Sequence, residues 1–215
     1  MLNRIFPPGS EEHWRAYVGP QEDYDLMGAS QFALLFREGL RESHRLLDIG
    51  CGSLRAGRFL IPYLGVGNYI GVEPSAWLIE QAIENEIGND LVRIKRPTFL
   101  RNDSFQYEEL LPRSFDYILL QSIFSHTSVV LLHRALSEVA RLLSVDGQAL
   151  FTVITSDCPG ADAMPSAADI EGWRYPGCVK IDVRRLFSIA EESRLQLEFL
   201  DWEHPRQQWL KARLA

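Results

Sequence analysis

The chain has 215 residues, 46% hydrophobic and 24% charged, which suits one domain with a substantial core and excludes a disordered tail. Its formal charge is -7, from 22 basic and 29 acidic side chains, and no basic run exceeds Arg184-Arg185, so a nucleic-acid partner held by counterion release is disfavoured. Cys51, Cys158 and Cys178 form neither a Cys-x-x-Cys pair nor an even disulfide set, and no His, Cys or carboxylate spacing suggests a metal site. Residues 1–10 lack an apolar run of signal-peptide length, and no window approaches the roughly 18 apolar residues of a membrane span. The expectation is a cytoplasmic protein without a membrane partner, a monomer or homodimer.

Residues 1–44 carry Trp14, Tyr17 and Tyr24 and then an apolar helix from Gln31 to Leu40, a helical cover for a ligand edge or a cap on a sheet. From residue 45 onward, short apolar runs alternate with stretches of helical spacing. Strands are predicted at Arg45–Ile49, Tyr69–Glu73, Phe115–Leu120 and Gln148–Ile154, with a weaker one near Thr98–Arg101. Helices are predicted at Leu54–Leu64 after Ser53, Trp77–Ile87 after Ser75 and Val129–Leu143 after Thr127 or Ser128, each opening on a hydroxyl suited to capping. An insertion over about residues 155–181, rich in Gly, Pro, Ala and Asp, is long enough for a lid or a substrate-binding element. A helix near Asp182–Ser193 follows. The strands Gln196–Trp202 and Gln208–Leu214 flank a turn at His204-Pro205-Arg206 too short for a crossover, so they form an antiparallel hairpin. The pattern is α/β, with right-handed crossovers that put the carboxyl ends of the parallel strands, and the ligand, on one edge.

The sharpest local signal is Leu47-Asp48-Ile49-Gly50-Cys51-Gly52-Ser53-Leu54-Arg55, a strand entering two glycines and then a helix. Backbone there can turn tightly and approach a ligand. The next strand ends at Glu73, an acid placed to accept both hydroxyls of a ribose. A dinucleotide site would carry a third glycine where Arg55 stands, and the Gly-Lys-Ser/Thr of a P-loop is absent.

Asp48-x-Gly50-x-Gly52 with Glu73 resembles the first two motifs of class I S-adenosylmethionine-dependent methyltransferases. The resemblance continues through Asn102-Asp103-Ser104-Phe105, Phe115–Leu120 with the following Gln121–His126, Leu142–Phe151 and the terminal hairpin, covering about residues 45–214. It implies a three-layer Rossmann-like sandwich with a seven-stranded, mostly parallel sheet whose last strand is antiparallel. It also implies S-adenosyl-L-methionine as cofactor, bound by the 45–215 domain. Ser53 and Leu54 stand where many members have a third glycine, which marks a narrower subgroup, and the acceptor is not inherited from the resemblance.

The cofactor contacts expected on these motifs are Asp48, Gly50, Cys51 through its backbone, Gly52, Arg55, Glu73 with Pro74, Asp103 with Ser104, and Gln121 at the end of the fourth strand. Asp48 can brace the loop amides or meet the cofactor's ammonium. Arg55 can grip its carboxylate through a planar fork, pair with Glu73 in a salt bridge, or lie on a solvated helix face. Asn102 competes with Asp103 for the adenine. Methyl transfer from a sulfonium needs alignment and, for a hydroxyl nucleophile, removal of one proton, so His126 is the candidate base. Phe124, Asp157, Trp173 and Tyr175 are candidates for acceptor binding. The predicted function is methylation of a small-molecule, sugar-like or natural-product acceptor, with oxygen favoured. A non-catalytic S-adenosylmethionine-binding partner subunit and an NAD(P)-dependent reductase are the other classes.

Overall fold

A computed structural model describes residues 5–110 and 112–215, so Met1–Arg4 of the N-terminal cover lie outside the described residues. Its elements in chain order are α1 (Trp14–Tyr17), α2 (Tyr24–Arg37), β1 (Leu46–Ile49), α3 (Gly57–Tyr63), β2 (Tyr69–Val72), α4 (Ala76–Ala82), α5 (Asn89–Lys95) and β3 (Thr98–Leu100). There follow β4 (Phe115–Leu120), α6 (Val129–Leu142), β5 (Leu143–Val153), α7 (Val183–Glu192), β6 (Leu195–Leu200) and β7 (Gln208–Leu214). The seven strands form one sheet in the order β3-β2-β1-β4-β5-β7-β6. The pairs β2–β3, β1–β4 and β4–β5 are parallel, and β7 runs antiparallel to both β5 and β6. This is the expected three-layer α/β arrangement with its last strand reversed. No helix among the described residues is long and apolar enough to cross a membrane.

Why these segments fold as they do is visible in their burial. Every residue of β1 and β2 is buried, as strands covered on both faces must be. In α6 the buried set Leu131, Leu132, Ala135, Leu136, Val139 and Leu142 recurs at helical spacing, and the Ser128 hydroxyl accepts the Leu131 N–H as a cap. Asp182 caps α7 in the same way through the Arg185 N–H.

Two of the expected caps make no cap bond. Leu54 adopts φ 59, a left-handed conformation that interrupts a right-handed helix, so α3 begins at Gly57 rather than at Leu54 and Ser53 caps nothing. Ser75 precedes α4 but makes no cap bond, because its hydroxyl pairs with Glu73 and Tyr17. β5 starts at Leu143 instead of Gln148, and its register with β4 is irregular between Phe115 and Tyr117.

The chain divides into two compact units, residues 1–44 with 50–101 and residues 45–49 with 102–215. Within the first, a carboxylate ties the N-terminal segment down. Glu86, its side chain 3% exposed, accepts from Arg15 Nε at 2.6 Å, Arg15 Nη2 at 2.8 Å and Trp14 Nε1 at 2.8 Å. Arg58 Nη1 stands 3.6 Å away, and its Nη2 pairs with Asp25 at 2.6 Å. A buried charge surrounded by donors is costly to remove, because the cations it neutralises are then left without it. In the second unit the insertion is zipped to the segment after β4. Val179 N–H donates to Ser125 O, Arg174 N–H to His126 O and Ser128 N–H to Gly172 O, at 2.7 to 2.9 Å.

Glu86→Ala should therefore lower unfolding free energy by about 3 kcal/mol. Urea titration checks this, and a change below about 0.5 kcal/mol would show the network to be no more than a screened surface pair.

Candidate active site

In the first unit the turn after β1 is built on backbone that only glycine adopts cheaply, Gly50 at φ 73 and Gly52 at φ 53. Gly50 and Cys51 both donate their N–H to Val72 O, at 2.8 and 3.1 Å, which pins the turn to the end of β2. Glu73 completes the pin. Its Oε2 accepts the Gly52 N–H at 3.1 Å and its Oε1 the Ser75 N–H at 2.9 Å. With the Ser75 hydroxyl bonded to it as well, three of the carboxylate's four acceptor sites are used, so it holds the turn and keeps one site for a ribose hydroxyl. Burial pushes its pKa above the ordinary 4.5, with the Ser75 and Gly52 hydrogen bonds pulling the other way. A glycine turn of open backbone beside a buried carboxylate is chemistry that fits the amino-acid and ribose ends of S-adenosylmethionine.

The N-terminal segment braces the same turn from outside, a role that motif reading missed. Tyr24 Oη donates to Ser53 O at 2.6 Å, and burial pushes this phenol up to about 12, so it stays a neutral donor. Gly28, one helical turn further along α2, lies so close to the turn that a Cβ there would stand 2.2 Å from Arg55 O. Val18 packs on Gly52, where an added Cβ would meet Val18 Cγ1 at 2.6 Å. Arg55 Nη1 donates to Val18 O at 2.8 Å, which gives the guanidinium a bracing contact. Tyr17 meets Trp77 edge-on at 5.4 Å. The signal that could have found this face is the stripe Tyr24, Gly28, Gln31 and Leu35, spaced by three and four and all buried in α2.

The second unit holds the remaining candidates. Asp48 is buried in β1, opposite Leu119 of β4. Asn102 Oδ1 accepts from Ser104 N–H at 2.9 Å and Ser104 Oγ at 3.2 Å, while its Nδ2 donates to Gln106 O at 2.8 Å. Asn102 is thus occupied in shaping the loop, and Asp103 is the exposed acid there. Trp173 is bound to this loop as well. Its Nε1 donates to Asp103 O at 2.9 Å and its ring stacks on Phe105 at 5.3 Å. Phe124 is 1% exposed with its ring edge on Phe151, a core position with no surface left to offer an acceptor. Asp157 is exposed, and Pro74 of the first unit is exposed beside Glu73.

Gln121 and His126 follow β4. Gln121 is buried, with its amide 3.3 Å from His204 Nε2. His126 is half-buried, and its Nδ1 lies 2.7 Å from Gly177 O. A carbonyl can only accept, so Nδ1 carries the proton and Nε2 the lone pair. Tyr175 sits edge-on to the imidazole at 5.0 Å, so the insertion both orients and shields the ring. Burial first, then the Arg206 guanidinium, lower the pKa of His126, against the opposing bond to Gly177. Among the described residues no group of His, Cys, Asp and Glu could hold a metal ion.

Comparison with known proteins bears on the domain and its fold. Residues 47–149 match a family model described as a methyltransferase domain. The chain superposes on magnesium protoporphyrin IX methyltransferase from Synechocystis PCC 6803 with bound SAM, at TM-score 0.63 and 14% identity over 91% of this chain and 81% of that one. It also superposes on the mitomycin 7-O-methyltransferase MmcR (TM-score 0.66, 17% identity, 94% and 56% covered). A third likeness is PH0226 protein from Pyrococcus horikoshii OT3 (TM-score 0.65, 16% identity, 90% and 92% covered). Residues 47–149 thus carry a methyltransferase domain, and the sheet around it has the Rossmann-like fold of the methyltransferases it superposes on.

If an ionised Glu73 holds the ribose, cofactor affinity depends on pH. Affinity for S-adenosylhomocysteine should fall on acidification from a midpoint above 4.5, because the buried carboxyl protonates early, and Glu73→Gln should flatten that profile. Calorimetric titration across pH tests it. An unchanged profile in the variant would remove Glu73 from the diol.

Proposed function

We propose that the protein methylates a hydroxyl oxygen of a small-molecule, sugar-like or natural-product acceptor, with His126 as general base. The carrying observation is the imidazole whose Nδ1–H is held by Gly177 O, leaving Nε2 bare beside the carboxyl end of β4. A ring so oriented can take a proton without first rotating or changing tautomer. The lowered pKa keeps it neutral near pH 7, as a base must be.

Bound S-adenosylmethionine supplies an activated methyl on a sulfonium, with a neutral thioether as leaving group. What remains for the protein is placement and proton removal. Gly50–Gly52 and Glu73 would hold the amino-acid and ribose portions. Asp48 and the Asp103–Phe105 loop would take the ammonium and the adenine, the latter kept in shape by Asn102 and Trp173. Residues 5–44 act as a cover for the glycine turn, with Arg55 bracing it. The insertion near 155–181, with Tyr175 and Asp157, contributes to the acceptor side. The acidity of the chain suits a small acceptor better than nucleic acid. A monomer or homodimer in the cytoplasm agrees with its unpaired cysteines.

Incubation with labelled S-adenosylmethionine and fractionated metabolites should yield a labelled methyl ether or ester. With the acceptor in hand, His126→Gln should lower kcat about 100-fold while leaving S-adenosylhomocysteine affinity unchanged. Wild-type kcat should rise with pH through a midpoint below 6.5, since the neutral ring is the active form, and the variant should lose that step. Labelled N-methyl products, or full activity in the variant, would overturn the assignment.

A further inference from the structure

The terminal hairpin turn carries a histidine that motif reading left unused. His204 Nδ1 accepts two main-chain donors, Arg206 N–H at 3.2 Å and Gln207 N–H at 3.0 Å. Two hydrogens directed at one ring nitrogen leave no room for a third, so Nδ1 is bare and the neutral ring carries its proton on Nε2. That Nε2–H faces the buried amide of Gln121, whose nearer end, assigned as nitrogen, is 3.3 Å away. A nitrogen there would set donor against donor. The far end of the same amide, assigned as oxygen, is buried with no hydrogen-bond partner among the described residues. Amide oxygen and nitrogen are alike in shape, and hydrogen bonding decides which is which. Turning the amide through half a revolution gives His204 its acceptor and leaves an NH2 group in the position that lacked a partner.

We infer that His204 is a positioning residue that orients Gln121 so that its NH2, and not its carbonyl, is offered at the carboxyl end of β4 to an oxygen of the methyl acceptor. The backbone holds this arrangement. Ser122, the next residue, is at φ 59, and its N–H donates to Thr152 Oγ1 at 2.7 Å while Gln207 Nε2 donates to its Oγ at 2.9 Å. A left-handed residue without glycine's freedom persists only where its surroundings enforce it. The same turn brings Arg206 within electrostatic range of His126, so residues 204–207 lie beside both candidate groups that follow β4. A buried donor discriminates strongly. It pairs with the lone pairs of a hydroxyl, phenolate or carboxylate, whereas the hydrogens of an amine nucleophile would leave it unsatisfied. The inference rests on the oxygen-methylation reading for its ligand, but the orientation of Gln121 can be read without any acceptor.

The first measurement is the ring tautomer of His204 in the 15N-labelled full chain, read from long-range proton–nitrogen correlations. The expected result is a protonated Nε2 and a bare Nδ1, with the Nε2 signal displaced in Gln121→Ala. A protonated Nδ1, or a signal indifferent to Gln121, overturns the proposal. The second is methylation of a matched phenol and aniline panel by the wild type, His204→Asn and Gln121→Glu. Asn can still accept the turn amides but cannot reach Gln121, and Glu can accept from His204 but donates nothing. Both variants should raise KM for the phenol about tenfold or more, with S-adenosylhomocysteine affinity unchanged in His204→Asn. Unaltered KM in both overturns the positioning role. Methylated aniline in the presence of the expected tautomer refutes oxygen methylation while the orientation of Gln121 stands.

Discussion

The carboxylate of Glu73 carries more of this structure than any other single group. By accepting the Gly52 and Ser75 N–H groups it joins the glycine turn to the start of α4, at a position where burial alone would favour its neutral form. Two amide hydrogen bonds offset part of the desolvation, and a bound diol would offset more. The conformation of the turn is therefore held by its own backbone amides, through Glu73 and the Val72 carbonyl.

The N-terminal segment extends the same logic. Tyr24 holds the Ser53 carbonyl, Val18 lies on Gly52, and Arg55 reaches back to the Val18 carbonyl. Glu86 fastens the segment through Trp14 and Arg15. Leu54 shows what this bracing achieves. It takes a left-handed conformation without being glycine, at a cost of roughly 1 kcal/mol, and its wholly buried side chain secures it there.

In the second unit two histidines stand in opposite tautomers for one reason, the backbone group each faces. Gly177 offers His126 a carbonyl and so protonates Nδ1, leaving Nε2 as a base. The amides of Arg206 and Gln207 offer His204 hydrogens and so keep Nδ1 bare, making Nε2 a donor. One ring is suited to accept a proton, and the other to orient Gln121. Trp173, a candidate for acceptor binding, is anchored to the Asp103 carbonyl and the Phe105 ring.

The order of strands and helices, the reversed last strand, the glycine turn and the acid at 73 were legible in the sequence, because apolar periodicity and turn chemistry are local properties of the chain. Helix starts were less so, since Ser75 is drawn off by Glu73 and Tyr17 and the helix after Ser53 is delayed by the left-handed Leu54. Tertiary structure alone decided that Tyr24, Gly28 and Val18 brace the turn, that Phe124 is core and that Asn102 shapes a loop. It also decided which nitrogen of each histidine bears a proton. Those are hydrogen bonds and contacts between residues tens of positions apart, and no spacing rule encodes them until the chain has folded.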